Sequence, residues 1–398
     1  MAQMGTLPRL FLVAAPGLEQ QVVREAAAEG FASVTPLPGG VEVVGGVAEA
    51  CRANLFLRTP ARVLMRIAEF RALHPAQLDK RARRVRWSKH LAPGTIVRVE
   101  ATSRSSRIYH AGAAADRVRR ALVEEAGALL AQDAAASVSV GDDIAEESVS
   151  TKPITVLVRL DDDLCTISLD TSGAPLHRRG HKPAVAKAPM RETLAAGFLM
   201  QAGFDGREPV LDPMCGSGTF LLEAGSIAKA IAPGRDRRFA IERLASFDPA
   251  AWAGLRDEAA RRENAAATGS AIRLIGRDRD AGAIAATRAN LARAALEACA
   301  SLEAGPIAAL ARPEGPPGLV IVNPPYGGRV GKAATLRGLY ATLGRVLSSG
   351  FGGWRVALVT SEAALARATG LPFDKPGPPV AHGGLPVRLW LTAPLPDP

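Results

Sequence analysis

The stretch Val210-Leu211-Asp212-Pro213-Met214-Cys215-Gly216-Ser217-Gly218-Thr219-Phe220 joins a short apolar strand to a helix through a turn with two glycines. The strand stops at Asp212, and the helix is expected to run from Phe220 to Ala232. The turn differs from a dinucleotide loop. The third glycine of that pattern falls at Leu221, and an acidic residue precedes the turn. Two glycines let a backbone approach a ligand closely. A carboxylate beside them suits a cationic amine better than a pyrophosphate, while the following helix amino terminus suits a carboxylate. S-adenosylmethionine offers both groups.

Working outward, Ile272-Arg273-Leu274-Ile275-Gly276 reads as the next strand, ending at Asp278. A carboxylate there can accept from both hydroxyls of a ribose. An isolated Asp after a strand is as readily a helix cap, and Asp280 takes that part for a helix over Ala281 to Ala298. Further on, Leu319-Val320-Ile321-Val322 runs into Asn323-Pro324-Pro325-Tyr326. Two prolines remove two amide donors and leave carbonyl oxygens free. The side-chain oxygen of Asn323 and the carbonyl of Pro324 can then accept from one planar amino group, with Tyr326 stacked on its ring. A proline-rich turn would look the same alone. The glycine turn upstream turns the reading towards amine methylation. Gly327, Gly328 and Gly331 then form a loop, followed by a helix over Leu336 to Leu347 and strands Trp354 to Thr360 and Val387 to Thr392. Alternating strands and helices predict an α/β open sheet.

The amino-terminal half reads differently. Strands are expected at Leu10 to Ala14, Gly40 to Val44, Arg62 to Phe70, Thr95 to Ala101, Ile154 to Leu160 and Cys165 to Asp170. Helices fall after Pro16-Gly17-Leu18-Glu19, over Ala48 to Leu57 and from His110 to Leu130. Between them lie a Ser/Arg loop, Ser103 to Arg107, and a polar loop, 137–150. This is a small α+β unit. Thr171 to Ala188 is a basic linker that either touches a polyanion or is simply solvated, and Pro189 opens the next helix. Residues 233–268 form a helical insertion whose expected role is packing.

Charge supplies the partner. The net charge is +10, and residues 71–120 carry thirteen Lys/Arg against three Asp/Glu. The remainder is balanced, so the whole excess sits in one region. Arginines scattered by composition alone would spread evenly. A confined basic excess is the footprint of a nucleic-acid surface. Arg81, Arg83, Arg84, Arg86, Lys89, Arg104, Arg107, Arg178 and Arg179 are the candidate RNA-binding residues. With 47% apolar and 22% charged residues, the chain reads as a soluble protein of two or three domains. No apolar run reaches membrane-span length, and the start lacks a basic-then-apolar signal pattern. Cys51, Cys165, Cys215 and Cys299 are too far apart for a disulfide framework or a zinc site, which implies a reducing cytoplasm. No metal site, catalytic triad or Walker loop is read.

The carboxyl-terminal half resembles a class I S-adenosylmethionine-dependent amino-methyltransferase. Most of the chain resembles the THUMP-containing bacterial guanine-N2 methyltransferases of large-subunit ribosomal RNA, the RlmL type. The matching residues are Pro16 to Glu19, Ala53 to Thr59, Ile108-Tyr109-His110, Leu176 to Gly180, Leu211 to Thr219 and Asn323 to Gly327. The resemblance implies a Rossmann-like domain with a mostly parallel seven-stranded sheet, preceded by a ferredoxin-like/THUMP RNA-binding region. Its divisions are a ferredoxin-like segment at 1–44, a THUMP domain at 45–170, the linker at 171–188 and the methyltransferase domain at 189–398. It implies a cofactor set of Asp212, Met214, Cys215, Gly216, Gly218, Thr219, Asp278 and Arg279. The catalytic set is Asn323, Pro324, Pro325 and Tyr326, and the target is N2 of a guanine in 23S rRNA.

The sequence departs from the family pattern at three points. The usual adenine-reading acid falls at Pro306, with Glu303 nearby; the usual Asp before the motif strand is Gly318; the usual Glu after Tyr-Gly is Gly328. A second methyltransferase fused in some relatives is not in this sequence, so a single modification is expected; the oligomeric state is left open, with a monomer compatible. Rival readings are a tRNA guanine or a DNA or RNA adenine methyltransferase and a protein glutamine methyltransferase. A non-catalytic ribosome assembly factor is the alternative from another class.

Overall fold

In the computed structural model, residues 8–131, 152–180, 190–267, 272–327 and 333–397 are described. The loop expected at 137–150, the linker end 181–188, Pro189, Gly328 and Gly331 lie outside them.

Two sheets organise the chain. The first is built from β1 (Arg9–Val13), α1 (Glu19–Ala28), β2 (Ala32–Leu37), β3 (Gly40–Val44), α2 (Val47–Phe56) and β4 (Arg62–Arg71). It continues through α3 (Pro75–Ala82), β5 (Ile96–Arg104), α4 (Ala111–Ala126), β6 (Leu129–Leu130), β7 (Ile154–Asp161) and β8 (Leu164–Asp170). These strands form one eight-stranded sheet in the order β2-β3-β1-β4-β8-β7-β5-β6. The pairing of β1 with both β3 and β4 carries the sheet without a break across residues 44 and 45. Alternation drives it: Leu10, Leu12, Val41, Val43, Val63 and Met65 point into one core.

Some expected boundaries shift. The helix expected from His110 to Leu130 stops at Ala126, because Gly127 adopts φ +59° and closes it in the left-handed region. Leu129 and Leu130 pair instead with Ile96 and Val97. Ser103 and Arg104 belong to β5 rather than to a loop. The basic segment forms only the short α3 and a 3-10 turn at Trp87–Lys89. Trp87 is buried and donates its indole N–H to the carbonyl of Ala82 at 2.9 Å, so this turn is anchored from within.

The second half comprises α5 (Glu192–Gln201), β9 (Val210–Asp212), α6 (Thr219–Ala228), α7 (Pro249–Ala267), β10 (Leu274–Asp278) and α8 (Ala281–Arg293). Then follow β11 (Ala300–Ala304), β12 (Leu319–Val322), α9 (Ala333–Gly350), β13 (Arg355–Thr360), α10 (Ala363–Ala368), β14 (Val380–His382) and β15 (Leu385–Leu391). Its seven-stranded sheet runs β11-β10-β9-β12-β13-β15-β14, parallel except where β15 joins β13 and β14. This is a Rossmann-like methyltransferase sheet. Helices α6 and α8 stop at Ala228 and Arg293, short of the expected Ala232 and Ala298.

The insertion at 233–267 packs, as expected, and its partner is the first unit. Phe239, Ile241, Leu244, Trp252 and Ala259 join the amino-terminal core, and Trp252 meets the Phe239 ring edge-on at 5.9 Å. Arg262 and Arg52 lie over the Phe56 ring at 4.4 and 5.1 Å while both bond Glu258. The two halves are thereby fixed against each other.

Candidate active site

Strand order locates the site. From β9 the chain proceeds outward to β10 and β11, then returns to the other side of β9 with β12 and β13. The order reverses between β9 and β12, and ligands of open α/β sheets bind at the carboxyl ends there. Gly276 of β10 pairs with Asp212, and Val320 of β12 pairs with Leu211. Asp278 and Asn323 therefore stand just beyond Asp212, one on each side of it. The local reason is chain chemistry: apolar residues fill the strands, and the first polar residues fall at their ends.

The glycine turn is tightly constructed. Gly216 and Gly218 adopt φ +55° and +82°, which strain any side-chain-bearing residue. A Cβ at Gly218 would lie 2.7 Å from the Thr287 methyl, whereas one at Gly216 would enter open space. Gly216 thus faces a cradle. Its N–H donates to Asp278 at 2.9 Å, and its carbonyl accepts from the Thr287 hydroxyl at 2.7 Å. The Asn290 amide donates to the carbonyl of Ser217 at 3.0 Å. The Cys215 N–H donates to the carbonyl of Arg277 at 2.9 Å, and its thiol lies buried against Thr287. Cys215 is therefore a packing residue beneath the turn. Burial pushes its thiol well above the ordinary range.

Asp212 is 3% exposed, and its carboxylate accepts from the Met214 N–H at 3.1 Å. Burial pushes its carboxyl up to about 8, opposed by that N–H and reinforced by the neighbouring Asp278. Among the described residues this buried carboxyl has one backbone donor and no counter-charge. Asp278 accepts from Gly216 and from the Asp280 N–H at 3.0 Å, using one oxygen for each. Each oxygen retains a lone pair for a hydroxyl. Asp280 caps α8 through the Gly282 N–H at 2.8 Å, as expected. Arg279 is exposed at the rim. These residues fit S-adenosylmethionine: Asp212 for the amine, the amino end of α6 for the carboxylate, and Asp278 for the ribose.

On the other side of the switch point, Asn323 Oδ1 is buried and has no hydrogen-bond partner among the described residues. Pro324 is buried, and Pro325 accepts from the Tyr340 hydroxyl at 3.4 Å. Tyr326 is half-buried between the cores on the two faces of the sheet, and burial raises its phenol to about 12. The motif ends on Gly327, at φ +75°, whose N–H donates to Glu362 at 2.8 Å.

The chain can now be compared with known proteins. The family described as "RMKL-like, methyltransferase domain" matches residues 179–374, and "RlmL ferredoxin-like domain" matches 9–64. A protein of Synechocystis named as a candidate RNA methyltransferase is 31% identical over 95% of each chain. The chain belongs to the RlmL-like methyltransferase family. The ribosomal RNA large subunit methyltransferase K/L of Chromohalobacter salexigens is 34% identical over 92% of this chain and 50% of its own length. The chain spans about half the length of the K/L relatives it matches. A solved structure from Clostridium difficile, described as a candidate methylase, superposes with TM-score 0.83 at 28% identity, covering 99% of both chains.

Within this RlmL-like frame, two of the three departures acquire physical reasons or positions. Glu303 is exposed and pairs with Arg277 at 3.0 Å. Pro306 caps a 3-10 turn at Ile307–Ala309. At Gly318 an added Cβ would lie 2.1 Å from the Pro209 carbonyl, so this position excludes the aspartate usual in the family. It lies at the strand end opposite the site. Gly328 is outside the described residues.

The expected RNA-facing set divides. Arg81, Arg84, Arg86, Lys89, Arg104, Arg107 and Arg178 are exposed. Arg83 is half-buried and pairs with Asp79, Glu124 and Glu125. Arg179 corrects the expectation outright. Its side chain is 2% exposed and bonds Glu223 at 3.2 Å, with further bonds to the carbonyls of Leu176 and Arg58. It locks the linker onto α6 and does not meet a polymer. Thr287, Asn290 and Glu362 were not singled out from the sequence. Thr287 and Asn290 carry a signal, being polar residues three apart on one face of α8, directly after Asp278.

Proposed function

We propose that this chain transfers a methyl group from S-adenosylmethionine to the exocyclic amino group of an RNA base, N2 of a guanine in large-subunit rRNA. The observation that carries this reading is Asn323 Oδ1, a buried acceptor without a partner among the described residues, at the switch point opposite the Asp212 carboxyl. A buried acceptor without a donor is costly, and a substrate amino group supplies the missing donor. The cofactor contributes an electrophilic methyl group on a sulfonium. Asp212, the α6 amino end and Asp278 hold and orient it. Asn323 and the Pro324 carbonyl accept from the amino group, which directs its nitrogen lone pair, and Tyr326 stacks on the ring. The base must leave its helix to reach this wall. Catalysis is then mostly positioning and needs no strong general base. The first sheet, with the exposed arginines of 81–107, serves as the RNA-binding region.

The test is radiolabelled methyl transfer onto rRNA, with tRNA in parallel, both from cells lacking the protein, followed by nucleoside analysis. N2-methylguanosine is expected, and Asn323→Ala should abolish it while leaving cofactor binding intact. Methyl-adenine would replace guanine as the target, and label on tRNA alone would replace rRNA. Failure to bind S-adenosylmethionine would favour an assembly factor.

A further inference from the structure

Tyr109 is 84% exposed, the most exposed of the large hydrophobic side chains among the described residues. A single exposed ring needs no occupant by itself, but this one offers a flat apolar face and a polar tip to a ligand. The loop that carries it is rigidly built. Ile108 is buried, and its carbonyl accepts from the Ser103 hydroxyl at 2.6 Å. The Arg107 N–H donates to Asp163 at 2.7 Å, and the Asp163 N–H donates to Ser106 at 3.0 Å. On the far side His110 caps α4, its Nδ1 accepting from the Ala113 N–H at 3.2 Å. Tyr109 is thus held between an anchored residue and a helix cap, with its ring in solvent. The backbone that carries the ring is therefore already ordered, and its ordering costs nothing further when something stacks on it.

The surroundings name the occupant. Arg104 and Arg107 flank the loop with side chains 80% and 66% exposed, and Arg159 lies on the neighbouring strand. Asp161 and Asp163 face them and orient their guanidinium groups without burying them. An exposed ring set among exposed guanidinium groups matches an unpaired nucleotide, whose base stacks while its phosphates meet the arginines.

We infer that Tyr109 is a stacking platform for an unpaired base of the RNA, set on the first sheet apart from the methyl-transfer site. This rests on the RNA reading above and adds that the RNA presents a single-stranded element to the loop. A base platform there would hold the substrate by its unpaired part while another base enters the active site.

The probes are a short unstructured oligoribonucleotide and a fully paired RNA duplex of the same length, titrated against the full chain. Tyr109→Ala is expected to weaken single-strand binding by about tenfold or more, with duplex binding and salt dependence unchanged. Tyr109→Phe, which keeps the ring, is expected to bind as wild type. Equal losses on both probes, no loss with Tyr109→Ala, or a Tyr109→Phe defect as deep as that of alanine would each overturn the platform. If the wild-type chain binds neither probe, the RNA reading falls and the platform falls with it. If wild type binds both and only the platform prediction fails, the methyl-transfer proposal stands.

Discussion

Asp278, at the end of β10, accepts the backbone N–H of Gly216 in the turn after β9 at 2.9 Å. The residue proposed to hold a ribose therefore also holds the turn proposed to cradle the rest of the cofactor. Its second oxygen takes the Asp280 N–H, which sets the start of α8. One carboxylate thus ties the glycine turn to the start of α8.

Replacing it should cost more than a lost ribose contact. Asp278→Ala removes two charge-assisted hydrogen bonds and leaves the Gly216 N–H without its acceptor. Each such bond contributes roughly 1.5–3 kcal/mol. Binding of S-adenosylhomocysteine, followed by calorimetry, should weaken about 10- to 100-fold or more. Asp278→Asn should recover part of the loss. A carboxamide still accepts from one N–H. Wild-type affinity in the alanine variant would remove Asp278 from the site.

Asp212 gives a pH signature. Its folded value of about 8 lies above the ordinary 3.8, with burial the leading cause. Between those values the native chain holds a proton that the unfolded chain has released. This group's contribution to stability is complete below 3.8 and is lost as pH rises through about 8. A cationic amine bound beside the carboxyl would displace that proton. Affinity for S-adenosylhomocysteine should rise with pH between about 6 and 8, with a slope of at most one logarithmic unit per pH unit. Asp212→Asn should bind weakly and without this slope. A flat wild-type profile would place the amine elsewhere.

The open α/β class and the two motif strands were legible because their apolar runs end abruptly in polar or glycine residues, whereas the strand order was not read from the sequence. Edge strand β2 was not. Its residues are mostly exposed and show no alternation, and Pro36 interrupts it. The overlong helix before Leu130 ignored a legible stop, Gly127. Arg179 was beyond reach by local reasoning, since its partner lies 44 residues away. The clue was on the partner's side: Glu223 is a lone carboxylate among Phe220, Leu221, Leu222 and Ala224. A charge in an apolar helix implies a buried counter-charge.

That pair yields a stability prediction. Glu223 meets Arg179 at 3.2 Å and Arg58 at 3.9 Å, with all three side chains nearly enclosed. Glu223→Ala leaves two guanidinium groups without their anion in the joint between the two halves. A loss of about 3–5 kcal/mol is expected, read from the urea midpoint. Glu223→Gln should be milder, since an amide oxygen still accepts. RNA affinity of the folded fraction should hold, because Arg179 does not face the polymer. A selective RNA defect would return Arg179 to the binding surface.

Gly318 offers a test of whether a departure from the family pattern is tolerated or required. The Leu319 N–H donates to the Pro209 carbonyl at 2.9 Å, which starts the pairing of β12 with β9. A Cβ on Gly318 would sit 2.1 Å from that same carbonyl. Backbone cannot yield as a flexible side chain does, so the two central strands would have to separate at their base. Gly318→Asp, although it restores the residue common in relatives, should lower stability by about 1–3 kcal/mol. Gly318→Ala should cost nearly as much, because the clash is with Cβ and not with charge. Cofactor affinity of the folded protein should change little, since Gly318 is at the opposite strand end from Asn323. Thermal unfolding of both variants decides the matter. Stabilisation by aspartate would mean that β9 and β12 are spaced differently from the arrangement described.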